Sequence, residues 1–382
     1  MRRAILVAWL LSTIAWQTAS QAAFALSGSE KRDRYLFHAE TAGEKHAGTA
    51  EEVPVPFFGQ LCPLEERLFD DAADGRLDLF SPLDAALIAS GIGDAKTLRC
   101  YEVRLAVLIA ELDASGNVAG GPRERARAVF EFMHCRVLVG GYRIECTDLR
   151  TALDDGRFNC VSASVLFNCM AGEFGLEVCG LEIPGHMMSR VTLPKGSLDV
   201  ETTCPGWFRL MGDPDRQAAA VKKTIGEISS NARSQTREVS PVEIAAMIYY
   251  NRGVDLLAEK RFAEAANANA KALRLDCNST TARGNLLATL NNWAIELGGS
   301  DRHAEAVDLL RQGLSFDPDY EAFSLNYVHV HHQWVEHLCR TGRFEEALNV
   351  LAAAAGELPN RPYFRHAPQE VHRRWDRAVG GG

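Results

Sequence analysis

Apolar positions recur at helical spacing through the first third of the chain. Leu83, Leu87, Ile88 and Ile92 form one stripe, and Val103, Val107, Leu108 and Leu112 form another. Residues 62–112 therefore read as helices. Gly116 to Pro122 reads as a loop, and a helix resumes over Arg123 to His134 through Ala126, Val129, Phe130 and Met133. Cys160 to Glu173 repeats the pattern through Ala163, Phe167, Met170 and Phe174, with Gly175 as a left-handed cap. The period then changes. Leu176 to Ile183 reads as a strand, and Pro184-Gly185 turns the chain. His186 to Leu193 and Leu198 to Thr202 read as a hairpin around Pro194-Lys195-Gly196-Ser197. A helix packed on an antiparallel sheet predicts an α+β domain.

The C-terminal third repeats itself. Arg261-Phe262-Ala263-Glu264-Ala265 recurs as Arg302-His303-Ala304-Glu305-Ala306 and as Arg343-Phe344-Glu345-Glu346-Ala347, 41 residues apart each time. Ala272, Gly313 and Ala354 follow at one fixed offset, and Cys277, Pro318 and Pro359 at another. Small residues at fixed spacing let helices approach closely, and Pro stops the second helix of each pair. Over residues 246–360 or so, this pattern resembles the tetratricopeptide repeat. Its signature can be laid on Tyr249, Gly253, Phe262, Ala265 and Ala272. The usual period is about 34 residues, so the longer one here predicts first helices extended by about two turns. The second and third copies diverge, with Ala294 and Val335 at the Gly253 position.

Composition narrows the classes. Of 382 residues, 47% are hydrophobic and 24% charged, which is enough apolar material for a sizeable core. Lys and Arg number 41 against 50 Asp and Glu. A chain with net charge −9 has no general electrostatic attraction for nucleic acid. Arg2 and Arg3 precede an apolar run from Ala4 to Trp16, and Ala23-Phe24-Ala25 offers a small-residue cleavage site. This is the pattern of a secretory signal over residues 1–25, predicting a periplasmic or extracellular protein. Membrane attachment is expected only if that segment stays uncleaved. Export permits disulfides among the 10 cysteines, and Cys135 with Cys146 is a candidate pair. No zinc-ligand spacing of Cys and His occurs. His329, His332 and Glu336 share a helix face and read as a polar groove lining. No metal or cofactor is implied.

The chemistry concentrates in the middle. Asn159 caps the following helix and places Cys160 in its first turn, where the positive helix end favours a thiolate. His186 opens a strand, and Asp199 and Glu201 follow on the next one. Cysteine, histidine and carboxylate in this order suit a thiol acyltransferase: the imidazole takes the thiol proton, and the acid orients the imidazole. Alternation alone leaves both acids open. The position of the turn at Pro194 to Ser197 favours Glu201.

Residues 123–208 resemble the transglutaminase-like branch of the papain-like cysteine hydrolases. The motifs are Gly-x-x-Asn-Cys at 156–160, Pro-Gly-His at 184–186 and Asp-Val-Glu-Thr-Thr at 199–203. The whole order resembles that of exported bacterial proteins joining such a domain to tetratricopeptide repeats. The resemblance implies a cysteine-dependent amide or peptide hydrolase or acyltransferase. Its site would be Cys160, His186 and an acid, with Glu201 standing where the family carries Asp. It implies a peptide or protein substrate, and a protein partner held by the repeats. The rival expectation is an inert scaffold whose repeats mediate protein–protein interaction.

The expected organisation is a signal at 1–25, a leader at 26–60, a helical lead-in at 61–119, a transglutaminase-like α+β domain at 120–228, a linker at 229–240 and an all-α repeat solenoid at 241–382.

Overall fold

The computed structural model describes residues 55–56, 59–226 and 236–380. The export signal, nearly all of the leader and the first part of the predicted linker lie outside the described residues.

Helix starts follow local chemistry. Helix α1 (Pro63–Asp71) opens with the Glu65 carboxylate accepting the Cys62 N–H at 3.1 Å. Helix α2 (Pro82–Ala89) opens with a reciprocal Ser81–Asp84 capping box. Leu83 and every residue from Ala85 to Ala89 are buried, so α2 runs through the core. Helix α3 (Ala95–Ala114) buries Leu98, Leu105 and Leu112, one residue every two turns. The stripe read through Val103 and Val107 is wrong, because those side chains are 50% and 60% exposed. Only one narrow face of α3 meets the core, and it is the heptad face.

Helix α4 (Pro122–Phe132) buries Ala126, Val129 and Phe130 and runs into a π-helical turn, Met133–Val137. The short strand β1 (Gly141–Tyr142) follows, then α5 (Leu149–Asp155) and β2 (Arg157–Phe158), which pairs parallel to β1. Helix α6 (Cys160–Glu173) is enclosed on most sides. It packs against α2, α3, α4 and α5 and against the sheet. That sheet holds β3 (Val178–Ile183), β4 (His186–Thr192) and β5 (Ser197–Val200). Helices α7 (Trp207–Leu210) and α8 (Pro214–Ile225) follow before β6 (Arg237–Val239). The strand order is β5-β4-β3-β6, antiparallel throughout. The end of the predicted linker is thus the edge strand β6.

Helix then takes over the chain: α9 (Pro241–Ala258), α10 (Phe262–Leu275), α11 (Thr280–Gly299), α12 (His303–Phe316), α13 (Glu321–Arg340), α14 (Phe344–Glu357) and α15 (Pro362–Gly380). Each packs on the next, and α9, α11, α13 and α15 also pack on one another in turn. Ala265, Ala306 and Ala347 are fully buried, as are Ala272 and Ala354. At the same phase in every copy, an Arg pairs with the Glu three residues on: Arg261–Glu264, Arg302–Glu305 and Arg343–Glu346. Just before each Arg sits a left-handed residue: Lys260 (φ 59°), Asp301 (φ 60°) and Gly342 (φ 73°). The extra length of the period lies in the first helix of each pair, with 18 to 20 residues against 14 in the second.

The expected α+β transglutaminase-like fold is contradicted. Of the described residues, 67% are helix and 8% strand, with only small sheets. The change of period at Leu176 does mark a hairpin, but the strands are short and the sheet is a single layer. The central helix α6 is walled in mainly by other helices, which the local pattern of residues 160–202 could not reveal.

Candidate active site

The site is assembled at the junction of α6, the start of β4 and the turn after β5. Asn159 is the N-cap of α6, and its Oδ1 accepts the N–H groups of Val161 (2.9 Å) and Ser162 (3.1 Å). Its Nδ2 donates to the Thr147 hydroxyl at 2.6 Å and to the Ile144 carbonyl at 3.0 Å. The Ser162 hydroxyl accepts the Asn159 N–H and donates to the Cys146 carbonyl. This network holds Cys160 at the first helical position, half-buried. Among the first-turn N–H groups, that of Cys160 itself is the one Asn159 does not engage.

His186 follows a turn in which Gly185 takes φ +75°, and it pairs with Ile183 across the turn. Its side chain is 3% exposed, and Nε2 lies 2.7 Å from Glu201 Oε2. The Cys160 side chain lies close enough to the same imidazole to raise its pKa. Burial by itself would push the His186 pKa down. The Glu201 carboxylate and the Cys160 contact outweigh it and hold the pKa up at about 10. Burial would raise the Glu201 pKa, but His186 and the Thr203 hydrogen bonds bring it below the usual carboxylate value. The resting pair is therefore imidazolium and carboxylate.

Glu201 reaches His186 because β5 ends at Val200. The ladder pairs Ser189 with Val200 and Thr192 with Ser197, so neither acid stands opposite His186 in register. Past Val200 the chain turns. Glu201 Oε1 accepts the Thr203 N–H at 3.0 Å and the Thr203 hydroxyl at 2.5 Å, which folds the carboxylate back toward β4. Asp199 is not part of the site. It accepts two hydrogen bonds from Arg190, at 2.7 and 2.9 Å, in a partly solvated pair further along the ladder.

Residues outside the motifs complete the surroundings. The His134 Nε2–H donates to the Thr202 carbonyl at 3.0 Å. Burial drives the His134 pKa down to about 4, so the ring is neutral. Ser164 and Thr202 hydroxyls meet at 2.8 Å. Tyr250, on α9, sits in the field of Glu182 and Cys160. Burial first, then Glu182 and Cys160, raise its pKa and keep it a protonated donor. The signal for His134 was its polarity beside the apolar stripe of α4. Nothing local marks Tyr250, because α9 is brought to the site by tertiary packing.

Other expectations are corrected here. Cys135 and Cys146 do not pair, and all 10 cysteines are free thiols. On the face shared by His329, His332 and Glu336, Glu336 pairs with Arg374 at 3.0 Å. The large cavity, about 990 Å³, lies between α2, α3, α6 and β3, and Cys160 does not line it. No protein-family model matches the chain, and no curated protein matches it.

Proposed function

We propose that the protein is a cysteine-dependent amide or peptide hydrolase or acyltransferase, with Cys160 as nucleophile, His186 as the proton carrier and Glu201 as the group that orients and charges His186. The observation that carries this reading is the buried 2.7 Å contact between His186 and Glu201 beside a cysteine at a capped helix start. A buried charged pair without a task is expensive to desolvate, and such pairs concentrate at sites of chemistry.

In the proposed sequence, the Cys160 thiolate paired with imidazolium attacks the acyl carbon, and the carbonyl π electrons move to oxygen. The Cys160 N–H at the positive end of α6 faces the developing oxyanion. The tetrahedral species collapses, the C–N bond breaks, and His186 gives its proton to the departing amine. A thioester remains on Cys160. Neutral His186 then takes a proton from water or an incoming amine, which attacks the thioester and expels the thiolate. Glu201 stays ionised throughout and holds the imidazole ring.

The test uses the full chain with a panel of peptide amides and esters, followed by intact-mass detection of an acyl adduct and by turnover. The parent forms an adduct on Cys160. Cys160→Ala, folded by circular dichroism, forms none and shows no turnover. Turnover that survives Cys160→Ala contradicts the proposal, and a parent that forms no adduct and shows no turnover contradicts it in favour of a binding scaffold.

A further inference from the structure

The second helical pair departs from its neighbours at one junction. Its left-handed residue is Asp301, where the first pair has Lys260 and the third has Gly342. Two residues on, His303 occupies the phase of Phe262 and Phe344. The neighbouring helix α13 supplies His337 at the phase where α11 carries Glu296. In the first pair these positions make an ion pair, Lys260 to Glu296 at 3.1 Å. In the second they bring together a carboxylate and two imidazoles.

The ligand-bearing atoms of Asp301, His303 and His337 all lie within 4.8 Å of one another. Asp301 Oδ1 is 3.4 Å from His303 Nε2 and 3.5 Å from His337 Nδ1. Ligands at about 2.0–2.1 Å from a tetrahedral ion stand about 3.3 Å apart, so these separations already approach that figure. His303 is 5% exposed, and neither of its ring nitrogens has a hydrogen-bond partner. The Asp301 contact is too poorly directed to count as one. An imidazole buried with both nitrogens unsatisfied carries a desolvation cost that a Phe in the same slot would not. Its ring is fixed by stacking on Trp334 (centroids 6.3 Å apart, planes 26° apart) and edge-on to His337.

We propose that Asp301, His303 and His337 form a binding site for a divalent transition ion of the zinc class. Two imidazoles and one carboxylate suit such an ion better than calcium or magnesium, which prefer oxygen ligands. Asp301 is 69% exposed and His337 33%, so the remaining coordination position opens to solvent. The bound ion ties the turn before α12 to α13, clamping the second helical pair to the third. Arg340 lies near His303, and its charge sets a limit on how tightly a cation is held.

The test is titration of the full chain with Zn²⁺ by calorimetry, together with the absorption spectrum of the Co²⁺ complex. The parent takes up one ion here, and the cobalt spectrum shows d–d bands of nitrogen and oxygen ligation without a thiolate charge-transfer band. His303→Phe restores the residue type of the other two copies and weakens this binding by more than about tenfold. If that variant fails to fold, His337→Gln, at a partly exposed position, gives the same loss. Full affinity in the folded variants, a thiolate band, or no uptake by the parent overturns the proposal.

Discussion

Glu201→Gln separates the charge of the site's acid from its shape. It keeps an acceptor for Thr203 and removes the carboxylate that holds the proton on His186. Turnover is expected to fall by two or more orders of magnitude, as for other residues that fix a catalytic histidine. Asp199→Asn, which loosens only the Arg190 contact, is expected to change turnover less than about threefold. The same pair gives stability a pH dependence. His186 binds its proton more tightly when folded, so its share is complete below pH 6.5 and is lost as the pH rises through about 10. Glu201 binds its proton less tightly when folded, so its share is present above 4.5 and is lost as the pH falls through its lowered pKa. Thermal melts of the parent should therefore decline from pH 6.5 toward 10, and Glu201→Gln should flatten that decline. An unchanged slope in the variant would show that His186 does not depend on Glu201. Cys160 and His186 were legible in the sequence because each follows a local motif, a cap and a Pro-Gly turn. The choice of acid was not legible from strand alternation, because β5 stops one residue before Glu201. The clue lay in Thr203, which can bond back to a side chain two residues earlier.

At the scale of elements, the repeat phase sets the tolerance for volume. A Cβ added at Gly313 would stand 2.6 Å from the Phe323 ring. In the first and third copies the same phase is Ala272 and Ala354, both fully buried. Gly313→Ala, mild by propensity alone, should therefore cost about 1–3 kcal/mol in urea denaturation, because α13 must move its aromatic ring. Ala306→Leu should cost a similar about 1–3 kcal/mol, since the side chain has no open volume. A neutral result at both positions would mean that the helices do not pack as closely as described. Helix existence and the 41-residue phase were legible because small residues recur in step. Which face of α3 is buried was not. A helix with apolar residues on two faces has two self-consistent stripes, and only its neighbours α2 and α6 decide between them.

At the scale of the molecule, the array is joined to the rest by polar contacts that no local pattern shows. Glu65 on α1 accepts from the Tyr249 hydroxyl at 3.0 Å and pairs with Lys271 at 2.6 Å. Arg252 donates to the Ala89 carbonyl at 2.5 Å. Arg237 on β6 pairs with Glu182, Glu243 and Asp276, tying the sheet to α9 and to the end of α10. The predicted boundary at 229–240 thus ends in a strand and an ion-pair hub. With α9 packed on α2, α6, β3 and β6, the two parts are expected to unfold in one transition. Glu65→Ala leaves Lys271 and Tyr249 without their carboxylate and should lower stability by about 3–5 kcal/mol. Two separate transitions in the parent would contradict this coupling. Among the described residues no helix is long and apolar enough to cross a membrane.

In the proposed mechanism, His186 and Glu201 set Cys160 chemically apart from the other cysteines. Peptide-resolved alkylation rates of all 10 free cysteines under limiting iodoacetamide test it most directly. Half-buried Cys160 is expected to react at least about tenfold faster than the exposed Cys100, Cys135 and Cys277, and to lose that advantage in His186→Ala and Glu201→Gln. A rate for Cys160 no faster than for those exposed thiols, or one unchanged in both variants, would contradict the account.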